Sequence, residues 1–250
     1  MQWEAELRQA EEAARQAGAL LREAFLQKPE ILEEPGHDIK LQADQDAERI
    51  ILDALAASTY PLLAEESGAH GLRETENETF WVVDPLDGTM NFSRQLPQCA
   101  VSIGLNQGEH AQLGVIYDFN RDELYTGVVG EGAWLNGAPM AVSGVSERGR
   151  AMLSTAFPRN LARNEAGVHD FCQQINGFRK TRMLGSTALS LAYIACGRMD
   201  AFADDDIMLW DIAGGLALIE AAGGYIETGP ASSKWSRRAR CAAHRSIWHS

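Results

Sequence analysis

The stretch WVVDPLDGTMNF, residues 81–92, ends an apolar run with two carboxylates three positions apart, a proline between them and Gly-Thr behind them. Asp84 and Asp87 in this arrangement admit two readings. The plainer is a hairpin, because Asp-Gly is a favoured pair for a tight turn between strands. The other is a site for divalent metal and phosphate. Pro85 stops ladder pairing and keeps Asp84 extended, so the two carboxylates converge at the mouth of the strand. The following GTMNF can open a helical turn whose free backbone N–H groups face an anion. Carboxylates beside such donors make chemical sense when cations lie between them and a phosphate.

Hard divalent metal ions are the cations that carboxylates suit, since they take oxygen ligands, bridge phosphates and need neither Cys nor His. None of the six histidines lies beside the carboxylate motifs, and His70, the nearest to Glu65, reads as a loop residue. The four cysteines, Cys99, Cys172, Cys196 and Cys241, form no C-x-x-C pair and read as reduced thiols. Thirty-five acidic against 22 basic residues give a formal charge of −13, which argues against a nucleic-acid surface. The first 25 residues are too charged for a signal peptide, and no run of 18 apolar residues suggests a membrane span. A cytoplasmic protein is the expectation.

The elements that must position these carboxylates are visible in the periodicity. Trp3, Leu7, Ala10, Ala14, Ala17, Leu21 and Ala24 form one stripe of an amphipathic helix that ends before Pro29. A second helix is predicted over 43–57. From Leu62 the texture is β, with an antiparallel meander between about 98 and 135 and a turn at Asn136-Gly137. Beyond about 145 the units lengthen: a strand in AMLSTAF, a helix over 162–177, a helix opened by Gly185-Ser186, a short strand in DAFAD, a helix in DIAGGLALIEAAGG and a last strand in ARCAAH. Strands grouped first and helices alternating later predict an α+β fold in two lobes. We place the N-terminal α+β lobe at 1–145 and the C-terminal α/β lobe at 146–250. The 250 residues suffice for both.

Two phosphatase patterns can be compared with the motif. Haloacid-dehalogenase phosphatases use D-x-D-G-T, but here the spacing is three and a proline intervenes, so that pattern fits poorly. LLAEES upstream, WVVDPLDGTMNF, and LWDIAGGLALIEAAGG far downstream together resemble the inositol monophosphatase family of Mg²⁺-dependent, Li⁺-sensitive phosphatases. VSIGL, GVIY, GEGAWLNG, GSTALSLAYIACGRMDAF and SRRARCAAH extend the resemblance, in family order, across nearly the whole chain.

The resemblance implies a layered α-β-α-β-α sandwich, two or three Mg²⁺ ions and a homodimer. It implies that Glu65, Asp84, Asp87, Asp211 and the backbone carbonyl of Leu86 are metal ligands. Glu65 and the Thr89 hydroxyl would also orient the attacking water, with Asp44 polarising Thr89. Gly88 and Thr89 match the phosphate-binding backbone, Asp87 and Asp211 border the substrate, and Gly185 and Ser186 begin a helix pointing at it. Asp204 matches an acid that contacts substrate hydroxyls, although the run Asp204, Asp205, Asp206 also reads as a solvated loop. Glu66 reads as outward-facing, Asp200 as structural, and Met208 and Trp210 as packing. The basic C-terminal segment reads as a surface strand with a short tail.

The implied activity is hydrolysis of a small polyol or sugar phosphate by metal-activated water attacking in line, with inositol 1-phosphate first. 3′-Phosphoadenosine 5′-phosphate, fructose 1,6-bisphosphate and histidinol phosphate are alternatives on the same fold. A regulatory protein that works through partners, such as the transcription machinery, is a second class of reading. The sequence departs from the family where Val-Thr often precedes the acid at Asp44; here Lys40-Leu41 stands, and the threonine hydroxyl is gone. Against longer members, the resemblance leaves the expected terminal helix absent or abbreviated.

Overall fold

Small residues on one stripe make the first helix a tight fit against a sheet. The computed structural model describes residues 2–27, 31–33, 40–73, 75, 77–159 and 161–249. Helix α1 spans Glu4–Leu26 and buries Leu7, Ala10, Ala13, Ala14, Ala17, Gly18 and Leu21. Pro29, its expected stop, lies outside the described residues. The short strands β1 (Ile31–Glu33) and β2 (Lys40–Leu41) pair antiparallel and lead into α2 (Gln42–Leu55).

An eight-stranded sheet follows: β3 (Leu62–Ala64), β4 (Gly68–His70), β5 (Thr79–Asp87), then, after the short helix α3 (Thr89–Ser93), β6 (Ala100–Gln107), β7 (His110–Asp118), β8 (Glu123–Val128), β9 (Gly132–Leu135) and β10 (Ala138–Met140). Its order is β10-β9-β8-β7-β6-β5-β3-β4. Only β3 and β5 are parallel neighbours within it. The expected meander is β6 to β8, and Asn136 and Gly137 both have positive φ at the β9–β10 turn.

The second half builds a five-stranded sheet from β11 (Met152–Thr155), β12 (Lys180–Arg182), β13 (Ala201–Met208), β14 (Tyr225–Pro230) and β15 (Ser236–Ala242), in the order β12-β11-β13-β15-β14. Its helices are α4 (Glu165–Ile175), α5 (Thr187–Ala195) and α6 (Leu209–Ala221). After β15 comes a 3₁₀ turn, Arg245–Ile247.

Three cores mark the interfaces of an α-β-α-β-α sandwich. One lies between α1, α2 and the outer face of the large sheet, around Leu21, Ile51, Trp81 and Ile103. The second lies between the sheets and holds α5 and α6, with Leu191, Ile212 and Leu218 against Val82, Ile116, Phe202 and Cys241. The third, on the far face of the small sheet, gathers Leu153, Ala203 and Ile247, with Ile175 of α4 packed on it. Helices α5 and α6 are buried nearly all round, as a position between two sheets requires, whereas α1 and α2 keep a polar side.

Two sequence expectations are corrected. The acid run does not form a solvated loop: Asp204, Asp205 and Asp206 lie within β13, which extends to Met208. Helix 162–177 is shorter at each end, because Asn164 caps α4 through its side chain and the chain turns extended at Asn176. Strands β12 and β14 escaped the sequence pattern because both are sheet edges, where polar residues such as Lys180, Arg182 and Glu227 are tolerated. Among the described residues no helix is long and apolar enough to cross a membrane.

Helix α6 reaches the sheet through glycines. Gly104, Gly114 and Gly127 face one another across β6, β7 and β8. A Cβ on Gly114 would fall 2.0 Å from the Gly214 carbonyl oxygen, and one on Gly104 would fall 2.9 Å from the Gly214 nitrogen. Backbone therefore lies on backbone, and any side chain there would lift the helix. Gly114→Ala is expected to cost on the order of 1–3 kcal/mol through overpacking. It should also weaken the Mg²⁺ binding that the family resemblance implies, because Asp211 rides on the first turn of α6. Thermal unfolding and Mg²⁺ titration, beside Leu21→Ala as a destabilised control remote from α6, would check both effects.

Candidate metal centre

A β-bulge answers the question raised by the spacing of Asp84 and Asp87. On β5 Asp84 pairs with Ser102 and Asp87 with Ala100, so three steps on one strand oppose two on the other. The extra residue falls at Pro85-Leu86, where a missing N–H costs the ladder nothing. Ser102 and Ala100 point to one face, and the bulge therefore turns both aspartates to that same face. In a regular strand residues three apart would point to opposite faces.

Glu65 and Asp211 reach this mouth from other segments. Glu65 follows β3, and its N–H donates to the Val83 carbonyl at 3.1 Å, which places it beside β5. Asp211 sits in the first turn of α6 and accepts the Met208 N–H at 3.3 Å. One carboxylate oxygen from each of Glu65, Asp84 and Asp211 lies within 4.8 Å of the others. Asp84 is 1% exposed. Burial, then the charges of Glu65, Asp87 and Asp211, hold its carboxyl well above the usual range. Asp211 is raised in the same way by burial and by Glu65 and Asp87.

Asp87 belongs to the same electrostatic group but is turned toward α5. Its Oδ1 accepts the Thr187 N–H at 3.1 Å, its Oδ2 accepts the Ala188 N–H at 3.0 Å, and the Ser186 hydroxyl donates to Oδ2. The Ser186 oxygen in turn accepts the Leu189 N–H, so this serine caps α5 and faces the site at once. Burial nevertheless pushes the Asp87 carboxyl up to about 6.

The turn after Asp87 is held as closely. Gly88 has φ of 92°, and a Cβ there would meet the Gln98 carbonyl at 2.7 Å. Asn91, which no chemical motif singles out, donates from Nδ2 to the carbonyls of Gln98 and Leu184, both at 2.8 Å. It thereby ties the D-P-L-D-G-T turn to Gly185. Its only signal in the sequence is its place in the GTMNF stretch. The half-buried Thr89 donates its hydroxyl to the Leu86 carbonyl at 3.0 Å.

Asp44 is 2% exposed and accepts the Leu41 N–H at 2.8 Å, closing the first turn of α2. The backbone thus supports Asp44 where the sequence lacks a threonine hydroxyl. Leu41 itself is fully buried. Glu48, one turn further on, accepts the Glu66 N–H at 3.0 Å and so anchors the segment that carries Glu65.

The acids of β13 are separated by their partners. Asp204 is 4% exposed and accepts the Asp206 N–H at 2.8 Å. Burial raises its carboxyl to about 6. Asp205 pairs with Arg240. Asp206 takes the hydroxyl and N–H of Ser232, which outweigh burial and hold its carboxyl below the usual value. Arg159, which no motif announced, lies close enough to pull on both Asp206 and Asp211. Asp200 accepts from Ser143 and from the Met152 N–H, a structural role.

The donor set fits Mg²⁺. Glu65, Asp84, Asp87, Asp211 and the Leu86 carbonyl offer only oxygen, and Asp84 and Asp211 are raised by burial and then by neighbouring carboxylates, a repulsion that a cation would relieve. Among the described residues this is the sole cluster of three or more candidate metal-ligating side chains.

The chain is similar to known proteins over nearly its whole length. A sequence model of the inositol monophosphatase family matches residues 3–247. Inositol monophosphatase 3 of Solanum lycopersicum is 37% identical over 239 residues, covering 92% of this chain and 88% of the relative. Nus factor SuhB of Escherichia coli K12 is 36% identical over 224 residues, covering 86% and 81%. The solved inositol monophosphatase of Anabaena (Nostoc) sp. PCC 7120 superposes with a TM-score of 0.84 at 34% identity, covering 99% of this chain and 93% of that one. With its motifs in order, its layers matched and its carboxylates convergent, the chain belongs to the inositol monophosphatase family.

Proposed function

We propose that the protein is a Mg²⁺-dependent phosphomonoesterase acting on a small polyol or sugar phosphate, with inositol 1-phosphate the first candidate. The observation that carries this reading is the meeting of Glu65, Asp84 and Asp211, from three distant segments, within 4.8 Å. Bound Mg²⁺ would supply positive charge that neutralises the phosphate, acidifies water and stabilises the leaving oxygen.

The chain's own residues then have distinct tasks. Glu65, Asp84, Asp87, Asp211 and the Leu86 carbonyl hold the ions. Thr89 and Glu65 orient water toward phosphorus, and Asp44 acts on Thr89. Gly88 and Thr89 offer backbone N–H groups to the phosphate. The start of α5 at Gly185-Ser186, and Asp204, bind the hydroxyls of the alcohol. Asn91 and Glu48 are positioning residues that hold the turn and the Glu65 segment.

A second reading, regulation through a macromolecular partner, is supported by the similarity to Nus factor SuhB. Complexes captured from cells would survive Asp211→Asn under that reading, whereas phosphate release would not. The phosphatase reading predicts that a panel of inositol 1-phosphate, fructose 1,6-bisphosphate, 3′-phosphoadenosine 5′-phosphate and histidinol phosphate contains a good substrate, inhibited by Li⁺. Asp84→Asn should lower its kcat/KM on the order of 100-fold or more. If no phosphate were released from any of them, and Asp84→Asn matched wild type, the reading would fail.

The raised carboxyls also fix how stability varies with pH without metal. Asp87 ionises near 4 when unfolded and at about 6 when folded, so the folded state holds a proton the unfolded chain has lost. That contribution is full below about pH 4 and disappears as pH rises through about 6. Asp84 and Asp211 are shifted in the same direction. In EDTA the Tm should fall by about 5 °C or more between pH 5 and 7.5, and saturating Mg²⁺ should remove most of that slope. A metal-free profile flat across this range would contradict the electrostatic account.

A further inference from the structure

Ser102 places a hydroxyl beside the metal mouth that the fold leaves unused. The residue is 1% exposed, its Oγ is sealed from solvent, and among the described residues that oxygen has no hydrogen-bond partner. Buried hydroxyls are nearly always bonded, so one that is not calls for a physical reason.

Packing does not supply the reason. On β6, Ala100, Ser102 and Gly104 alternate onto the face that α6 covers, while Val101, Ile103 and Leu105 belong to the core on the other side. A Cβ on Gly214 would fall 3.0 Å from the Ser102 Oγ. The hydroxyl therefore lies under α6, about one turn beyond Asp211. An alanine would fill this position as Ala100 fills its own, with no polar atom to bury.

The register sets that hydroxyl next to a carboxylate. Ser102 is the partner of Asp84 across β5 and β6, and both side chains face the same way. Directly opposed residues carry their Cβ atoms about 4.5–5.5 Å apart, so rotation about χ1 alone brings a serine Oγ to a carboxylate oxygen. The turn costs no hydrogen bond, since the hydroxyl makes none where it lies. The carbonyls around Ser102 serve the ladders with β5 and β7 and the helix above. Asp84 has capacity left: its Oδ1 accepts the Leu86 N–H at 3.0 Å, and an ionised carboxylate takes about four such bonds. Carboxylates that hold a metal are themselves held by hydrogen-bond donors, which orient them toward the ion.

We propose that Ser102 is a positioning residue of the metal centre, whose hydroxyl turns to donate to the Asp84 carboxylate and steadies it when a cation is bound. The inference rests on the metal-dependent reading above and gives a task to a residue outside the ligand set. Isothermal titration of the full chain with Mg²⁺, beside thermal unfolding in EDTA, tests it.

In Ser102→Ala the Kd for Mg²⁺ should rise about 10-fold. Its Tm in EDTA should stay level or rise, because the variant loses a polar atom that made no bond. Ser154→Ala serves as the contrast, since it removes a buried hydroxyl that donates to the Ser190 Oγ at 2.8 Å in the small sheet. That variant should lose Tm in EDTA and keep the wild-type affinity for Mg²⁺. The proposal is overturned if Ser102→Ala binds Mg²⁺ as tightly as wild type. It is also overturned if weaker binding comes with a fall in the EDTA Tm, as lost packing would give, or if Ser154→Ala weakens binding equally. A wild-type chain that bound no Mg²⁺ would overturn this role and the metal reading together, whereas normal wild-type binding with an unchanged Ser102→Ala would remove the serine's role alone.

Discussion

Acidic side chains gathered at one mouth repel each other, and much of this architecture consists of devices that hold them together. Two unit charges 4.8 Å apart repel by about 3 kcal/mol at an effective dielectric of 20, so three such pairs approach about 10 kcal/mol. Solvent screening of the exposed Glu65 lowers that figure, which is otherwise as large as the whole stability of an ordinary domain. The group therefore either holds protons or holds cations. The raised carboxyls of Asp84, Asp87 and Asp211 describe the first state, and an all-oxygen donor set prepares the second.

Each device acts on a different scale. The Pro85 bulge works within one strand and turns Asp84 and Asp87 to a common face. The glycine row works between layers: it lets α6 lie on the sheet so that Asp211 arrives at the height of Asp84. The start of α5 works between segments about 100 residues apart, spending its free N–H groups on Asp87. These helix-end donors favour an anion, which explains how a buried carboxylate stays in place despite its neighbours.

The departures from the family pattern look different once the folded chain is considered. Leu41 replaces a threonine, yet its N–H still reaches the Asp44 carboxylate, so the backbone keeps the helix start that the hydroxyl would have reinforced. The acid run is resolved by its partners: Asp205 pairs with Arg240, Asp206 with Ser232, and Asp204 alone is left raised toward 6 by burial. Three adjacent aspartates thus carry three different electrostatic characters, because a twisted and bulged strand sends them to different surroundings.

The sequence by itself determined the helices, the meander and the pairing of residue types with chemistry. A stripe such as Leu7 to Leu21 can face only one way, and Asp-Pro-Leu-Asp-Gly-Thr restricts its own backbone. Family motifs in order extended that reading to Glu65 and Asp211. The edge strands β12 and β14, the tethering role of Asn91 and the nearness of Arg159 were decided only in three dimensions. Their partners come from elsewhere in the chain, and neither periodicity nor spacing encodes contacts between distant segments. What the chain wrote locally is the kind of atom at each position; which atoms meet depended on layers packing closely enough for backbone to touch backbone.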